Sequence, residues 1–229
     1  GTSTTGSFAV PTGSYDFAET VPSDWTLTGI SCSGTSATVA KPKVTINASA
    51  GDNIVCTFTN KRDTATLKVV KKVVSASGVT DGKFEFTSNT SLGNFDLTTV
   101  GGTAETDVIS IPTGNYEIAE VVPSGWSLTN LGCEGALTVV GSKKVTIVAT
   151  AGSTVECTFT NTRETGSLKV VKTAVGGNAT FGFTSDSPLG DFEITTVGGT
   201  GETESVDLPT GSYNLAEILP AGWTLTSAS

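Results

Sequence analysis

The chain repeats itself, and that repeat limits what it can fold into more than any single motif does. Pro11-Thr12-Gly13-Ser14-Tyr15-Asp16-Phe17-Ala18-Glu19 returns as Pro112-Thr113-Gly114-Asn115-Tyr116-Glu117-Ile118-Ala119-Glu120. It appears a third time as Pro209-Thr210-Gly211-Ser212-Tyr213-Asn214-Leu215-Ala216-Glu217. A Pro and then a Trp follow each copy, at Pro22 and Trp25, Pro123 and Trp126, and Pro220 and Trp223. Cys56-Thr57-Phe58-Thr59-Asn60 becomes Cys157-Thr158-Phe159-Thr160-Asn161, and Leu67-Lys68-Val69-Val70-Lys71 becomes Leu168-Lys169-Val170-Val171-Lys172. The offset is 101 residues from first to second copy and 97 from second to third, because loop 72–84 is four residues longer than loop 173–181. One complete copy spans 63–163. Residues 1–62 match only its later part and 164–229 only its earlier part, so partial, complete and partial repeats are expected, as in an excerpt from a longer array, the alternative being that a neighbouring chain completes the cut domains.

Thr supplies 41 of the 229 residues, and β-branched side chains suit a pleated surface better than a helix. The 27 Gly fall at intervals, as turns between short strands require. Within the complete repeat, strands are expected at 67–74, 83–88, 95–99, 106–110, 115–121, 127–131, 144–149 and 154–161. That pattern predicts an all-β fold of tandem Ig-like β-sandwich domains. The connections at 61–65 and 162–166 read as short polar links, tight enough to favour a rod over tethered beads.

Several function classes drop out. A formal net charge of −9 does not suit a phosphate-tracking nucleic-acid binder. With no His, neither a Ser-His-Asp hydrolase nor a His-ligated zinc or haem site is possible within this stretch. No apolar run approaches the roughly 18 residues of a spanning helix, so no membrane insertion is expected in this segment. No cofactor or metal is called for.

Strand alternation brings out the chemistry, because residues two apart share a face. With Leu67 inward, Val69 and Lys71 also point inward, while Lys68 and Lys72 face solvent. Tyr116, Ile118 and Glu120 share one apolar face, and Cys157, Phe159 and Asn161 another. A lone buried ammonium or carboxylate is costly and must be paired or neutralised. A Lys, an acid and an Asn in a dry core are the ingredients of an isopeptide bond. Burial makes the amine a neutral nucleophile and keeps a proton on the acid. The same three residues also fit a hydrogen-bonded cluster with no covalent chemistry. Such a bond would form once per domain, without turnover, so the chain is not expected to be an enzyme.

Cys32 and Cys56 are 24 apart, as are Cys133 and Cys157, one pair per repeat. Equal spacing predicts a disulfide within each domain and an oxidising compartment. Two buried free thiols are the alternative.

The Leu-x-Val-x-Lys strand, the Tyr-x-Ile-Ala-Glu-x-x-Pro-x-Gly-Trp segment and the terminal Phe-Thr-Asn resemble the collagen-adhesin B-type, or prealbumin-like, repeats of bacterial surface adhesins and pilins. The resemblance covers essentially the whole chain. It implies prealbumin-like β-sandwiches in which Lys71 bonds to Asn161 with Glu120 assisting. By the same match Lys172 and Glu217 belong to a third domain, and Glu19 and Asn60 to a first. Trp126 stands where the family commonly has Tyr, and two Cys per domain are not a general family feature. The resulting expectation is an extracellular, cell-surface stalk or filament shaft, whose partners are other copies of the same chain or repeat. The alternative is a carbohydrate- or host-protein-binding module with its site on a variable loop such as 75–83. Sequons at Asn47, Asn89 and Asn178 and the acidic loop 186–191 read more simply as surface turn chemistry than as glycosylation or calcium sites.

Overall fold

Period-two alternation carries through into an architecture of strands alone. The computed structural model describes residues 1–75, 78 and 80–229, and no helix forms among them. The first repeat holds β1 (Gly13–Ala18), β2 (Trp25–Ser33), β3 (Ser36–Ala40), β4 (Lys43–Ala48) and β5 (Val55–Arg62). The middle repeat opens with β6 (Thr64–Val74), β7 (Lys83–Ser88), β8 (Phe95–Thr98), β9 (Thr103–Glu105) and β10 (Ile109–Pro112). It continues with β11 (Gly114–Val121), β12 (Trp126–Glu134), β13 (Leu137–Val140), β14 (Lys144–Ala149) and β15 (Thr154–Arg163). In the third repeat lie β16 (Thr165–Leu168), β17 (Val171–Thr173), β18 (Thr180–Ser185), β19 (Phe192–Thr195), β20 (Thr200–Glu202), β21 (Val206–Pro209) and β22 (Leu215–Ile218).

Two sheets face each other in the middle repeat. One runs β10-β6-β15-β12, with β9 also on β6; the other runs β13-β14-β11-β7-β8. Leu67, Val69, Val155 and Phe159 enter the core from the first sheet, and Phe84, Phe86, Ile118 and Ile147 from the second. Phe86 stacks on Phe95 at 4.9 Å and meets Phe159 edge-on at 5.1 Å. The first and last strands, β6 and β15, lie side by side and parallel, from Thr66↔Thr154 to Val74↔Thr162. That pairing sets the inward residues of the two strands next to one another. Each Pro-Thr-Gly-x-Tyr turn is closed by its own ring: the hydroxyls of Tyr15, Tyr116 and Tyr213 donate to the carbonyls of Pro11, Pro112 and Pro209 at 2.7, 2.8 and 2.6 Å.

The flanking repeats reuse these pieces. β1-β4-β3 and β2-β5 form the first, while β16-β21, β17-β20 and β19-β18-β22 form the third.

Three features differ from the sequence expectation. The expected strand at 106–110 forms only at 109–110, in β10; 106–108 lie outside any strand and β9 precedes them, because Thr106 turns its hydroxyl onto the Val69 amide at 3.1 Å and takes up a ladder donor. A strand not expected from the sequence, β13, forms where the chain crosses from one sheet to the other after Gly135. There φ is +80° and a Cβ would fall 1.7 Å from the Thr154 carbonyl oxygen, so only Gly fits. The links between repeats shrink to one residue each, Asp63 and Glu164, because the flanking strands stay paired up to them (Trp25↔Arg62 and Pro112↔Thr64 at the first joint).

Both joints use the same bonds. The Asp63 amide donates to Asp24 O at 3.0 Å, its carboxylate accepts from Thr26 at 2.6 Å, and its carbonyl accepts from the Thr113 amide at 3.1 Å. At the second joint the Glu164 amide donates to Gly125 O at 3.0 Å, its carboxylate accepts from Ser127 at 2.5 Å, and its carbonyl accepts from the Thr210 amide at 2.9 Å. Arg163 reinforces the second, donating to Gly125 O and to Thr210 O, each at 3.2 Å, with its guanidinium over the Trp126 ring.

Candidate functional site

Three strands deliver three polar side chains to one point in the middle repeat. Leu67 and Val69 anchor β6 inward, so alternation turns Lys71 inward too, and it is among the largest fully buried side chains described. Ile118 does the same for Glu120 on β11, and Phe159 for Asn161 on β15. Lys71 and Asn161 are 0% exposed and Glu120 is 4% exposed, whereas Lys72 is exposed and Lys68 forms surface ion pairs with Glu105 and Glu156.

The Lys71 Nζ lies 3.8 Å from Glu120 Oε2, and Asn161 Nδ2 donates to Glu120 Oε1. Lys71 Nζ also donates to Lys72 O at 3.0 Å and Phe159 O at 3.1 Å, and sits 4.3 Å from the centre of the Phe84 ring. Burial is the chief influence on both ionisable groups. It pulls the Lys71 ammonium down from 10.5 to about 8, against the opposing pull of Glu120. Burial pushes the Glu120 carboxyl above its ordinary range, against the opposing effects of Lys71 and the Asn161 hydrogen bond. Both shifts favour the uncharged pair. Two carbonyls occupy two N–H positions of the amine, and in its neutral form the third position is a lone pair. Glu120 Oε2 and Asn161 Oδ1 are buried without a hydrogen-bond partner among the described residues, and a proton on Glu120 gives that pair a donor.

The flanking repeats each bring two members of the set together. Asn60 Nδ2 donates to Glu19 Oε1 at 2.5 Å in the first repeat. In the third, Lys172 Nζ meets Glu217 Oε1 at 2.6 Å and lies 4.3 Å from the Phe181 ring centre. None of the four is as fully buried as its counterpart in the middle repeat, although the Lys172 and Glu217 side chains are only 12% and 7% exposed. The aromatic floor beneath each lysine was not singled out from the sequence. Its signal was present in the matching inward pairs Phe84/Phe86 and Phe181/Phe183.

Disulfides join Cys32 to Cys56 and Cys133 to Cys157, each across directly opposed strand positions. The second ties β12 to β15 four residues from Asn161. The remaining sequence candidates have plain structural roles. Asp186 accepts from the Asn214 amide at 2.6 Å, and Asn89 fills the same role for Glu117 at 2.7 Å. Asn178 accepts from Gly199, and Asn47 is an exposed residue of β4. The loop 75–83 includes Ala76, Ser77 and Val79, which lie outside the described residues.

A family model described as a prealbumin-like fold domain, of the SpaA type, matches three times, over residues 1–62, 67–163 and 168–229. The chain belongs to this family. Similar solved structures include a bacterial adhesin from Mobiluncus mulieris containing intramolecular disulfide, isopeptide and ester bond cross-links, at 18% identity. That match covers 50% of this chain and 45% of the adhesin, with a TM-score of 0.34. The Bacillus anthracis TIE protein is 19% identical over 96% of this chain and 46% of its own, with a TM-score of 0.41. The major pilin T-13 of Streptococcus pyogenes is 14% identical over 69% of this chain and 83% of the pilin, with a TM-score of 0.35. This prealbumin-like chain thus spans less than half the length of the first two. No curated protein matches it. No helix among the described residues is long and apolar enough to cross a membrane.

Proposed function

We propose that the chain is a load-bearing stalk or shaft segment of a cell-surface adhesin or extracellular filament, each complete domain locked by a Lys–Asn isopeptide bond and a disulfide. The observation that carries this reading is the sealed Lys71–Glu120–Asn161 cluster between the parallel first and last strands of a domain. The neutral Lys71 Nζ attacks Asn161 Cγ while Glu120, protonated, polarises the side-chain carbonyl. The Nζ–Cγ bond forms, the Cγ–Nδ2 bond breaks, and Nδ2 leaves as ammonia with a proton passed from the lysine amine through Glu120. Proximity supplies most of the rate, since the fold holds both partners together. The reaction happens once and leaves an amide, so the chain is a product of its own chemistry and not a catalyst. The tie closes a loop of about 90 residues and stabilises by about 4–5 kcal/mol in the chain-entropy model. Single-residue joints pass tension directly from β5 to β6 and from β15 to β16, and the disulfides suit an oxidising, extracellular setting. Other copies of the same repeat are the partners such a shaft needs.

Accurate intact mass of the native chain, with peptide mapping, tests this. The expected mass is one ammonia and, for the two disulfides, four hydrogens lighter than the sequence requires, with a cross-linked peptide joining Lys71 to Asn161. Glu120→Ala is expected to retain the ammonia, its mass differing from its own sequence only by the four disulfide hydrogens. The unmodified mass in the native protein, with separate Lys71 and Asn161 peptides, would leave only a buried polar cluster.

A further inference from the structure

We propose that the free edge of the middle repeat, strand β13, is a self-association surface that pairs antiparallel with β13 of a second copy of this chain. β13 ends its sheet and pairs only with β14, so one side of its backbone has no partner strand among the described residues. Its outward face is aliphatic. Leu137 is 75% exposed and Val139 is 72% exposed, with Val148 directly across from Leu137. Edge strands are commonly blunted by charges, Pro or bulges, and Leu137-Thr138-Val139-Val140 has none of these.

The first repeat is an internal control for the same position in the same fold. There Ser36, Thr38 and Asn47 replace Leu137, Val139 and Val148 in matching register, and Lys41-Pro42 follows the strand. The aliphatic edge is therefore specific to the middle repeat and not a demand of the sandwich.

Charge selects the occupant. The edge is neutral within a chain of net charge −9, and it is flanked by Glu134 at one end and Lys143 at the other. Both are exposed, and neither forms an ion pair among the described residues. A second β13 related by a two-fold axis through Thr138 runs antiparallel. It brings the Lys143 end of each copy to the Glu134 end of the other, twice by symmetry. Leu137 of each copy then faces Val139 of its partner, both on the aliphatic face. A four-residue edge makes a small contact, so the pairing is weak and reversible. It binds shafts side by side and does not depend on the isopeptide bond.

Sedimentation equilibrium of the 229-residue chain, up to about 1 mM protein, tests the proposal. The expected result is a reversible monomer–dimer equilibrium. Leu137→Ser with Val139→Thr, the residues the first repeat carries, raises the dissociation constant by about tenfold or more while the melting curve keeps its shape. Glu134→Lys and Lys143→Glu each weaken association, and the two together restore it. A chain that stays monomeric throughout, a dimer indifferent to the Leu137/Val139 pair, or charge reversals that do not rescue each other would each overturn the proposal.

Discussion

Pulling on the middle repeat gives the sharpest reading of its covalent wiring. Load enters at Thr64, runs along β6, crosses from Lys71 to Asn161 and leaves at Arg163 when the isopeptide bond is present. Residues 72–160 then carry no tension. Lys71→Ala removes that crossing and puts the whole domain under load. The Cys133–Cys157 bridge still spans 24 residues, which leaves about 65 residues free to extend. At about 3.4 Å per residue this is roughly 220 Å of new contour length per unfolding event. Reducing the disulfide in the same variant lengthens the step to about 300 Å. In the native middle repeat the bridge lies inside the shielded loop, so reductant does not change its response. The assay is single-molecule force spectroscopy of native and Lys71→Ala chains, each with and without reductant. A native middle repeat that extends like the variant, or whose step lengthens on reduction, refutes the load path.

Asn161→Ala blocks the bond and leaves Lys71 titrating, with its pKa near 8 when folded and 10.5 when unfolded. Between those values the unfolded chain holds the extra proton, so stability rises with pH from about 8 to 10.5, by on the order of 3 kcal/mol. Urea melts across that range check it, and native protein, whose amine is an amide, shows no such rise. Cys133→Ser with Cys157→Ser is expected to destabilise by about 3 kcal/mol in denaturant titrations while the ammonia loss persists in the intact mass. Lys68→Ala and Lys72→Ala keep the cross-link by peptide mapping, since neither side chain reaches the core. Glu164→Ala removes the carboxylate that Ser127 caps, so small-angle scattering is expected to report a broader range of angles between the second and third repeats, with each repeat's melting nearly unchanged.

The triad was legible because each member sits on a strand whose neighbours leave no doubt about parity. Leu67 and Val69, Ile118, and Cys157 with Phe159 each fix the inward face, and Lys71, Glu120 and Asn161 follow by counting in twos. Cysteine pairing was legible from equal spacing. What stayed hidden depends on partners far along the chain. Nothing local says that β6 and β15 run parallel and adjacent, although that pairing is what joins Lys71 to Asn161. Leu137-Thr138-Val139-Val140 reads as one more apolar stretch until the topology leaves it at an edge. The one-residue joints were overestimated as loops because Lys61, Arg62 and Thr162 are polar, yet their backbones remain in register with β2 and β12.

At each joint the preceding domain grips the linker acid through its amide and carboxylate, but the following domain takes hold only through main-chain groups, the amide of Thr113 or Thr210 and, at the second joint, the Thr210 carbonyl that accepts from Arg163. The receiving half of the joint therefore asks nothing of side-chain identity beyond a Pro-Thr-Gly turn. A module presenting that turn accepts any predecessor ending in an Asp or Glu, so units are interchangeable in order. Exchanging one whole repeat for another keeps the linker acid and the turn that receives it, so both junctions carry over with the unit.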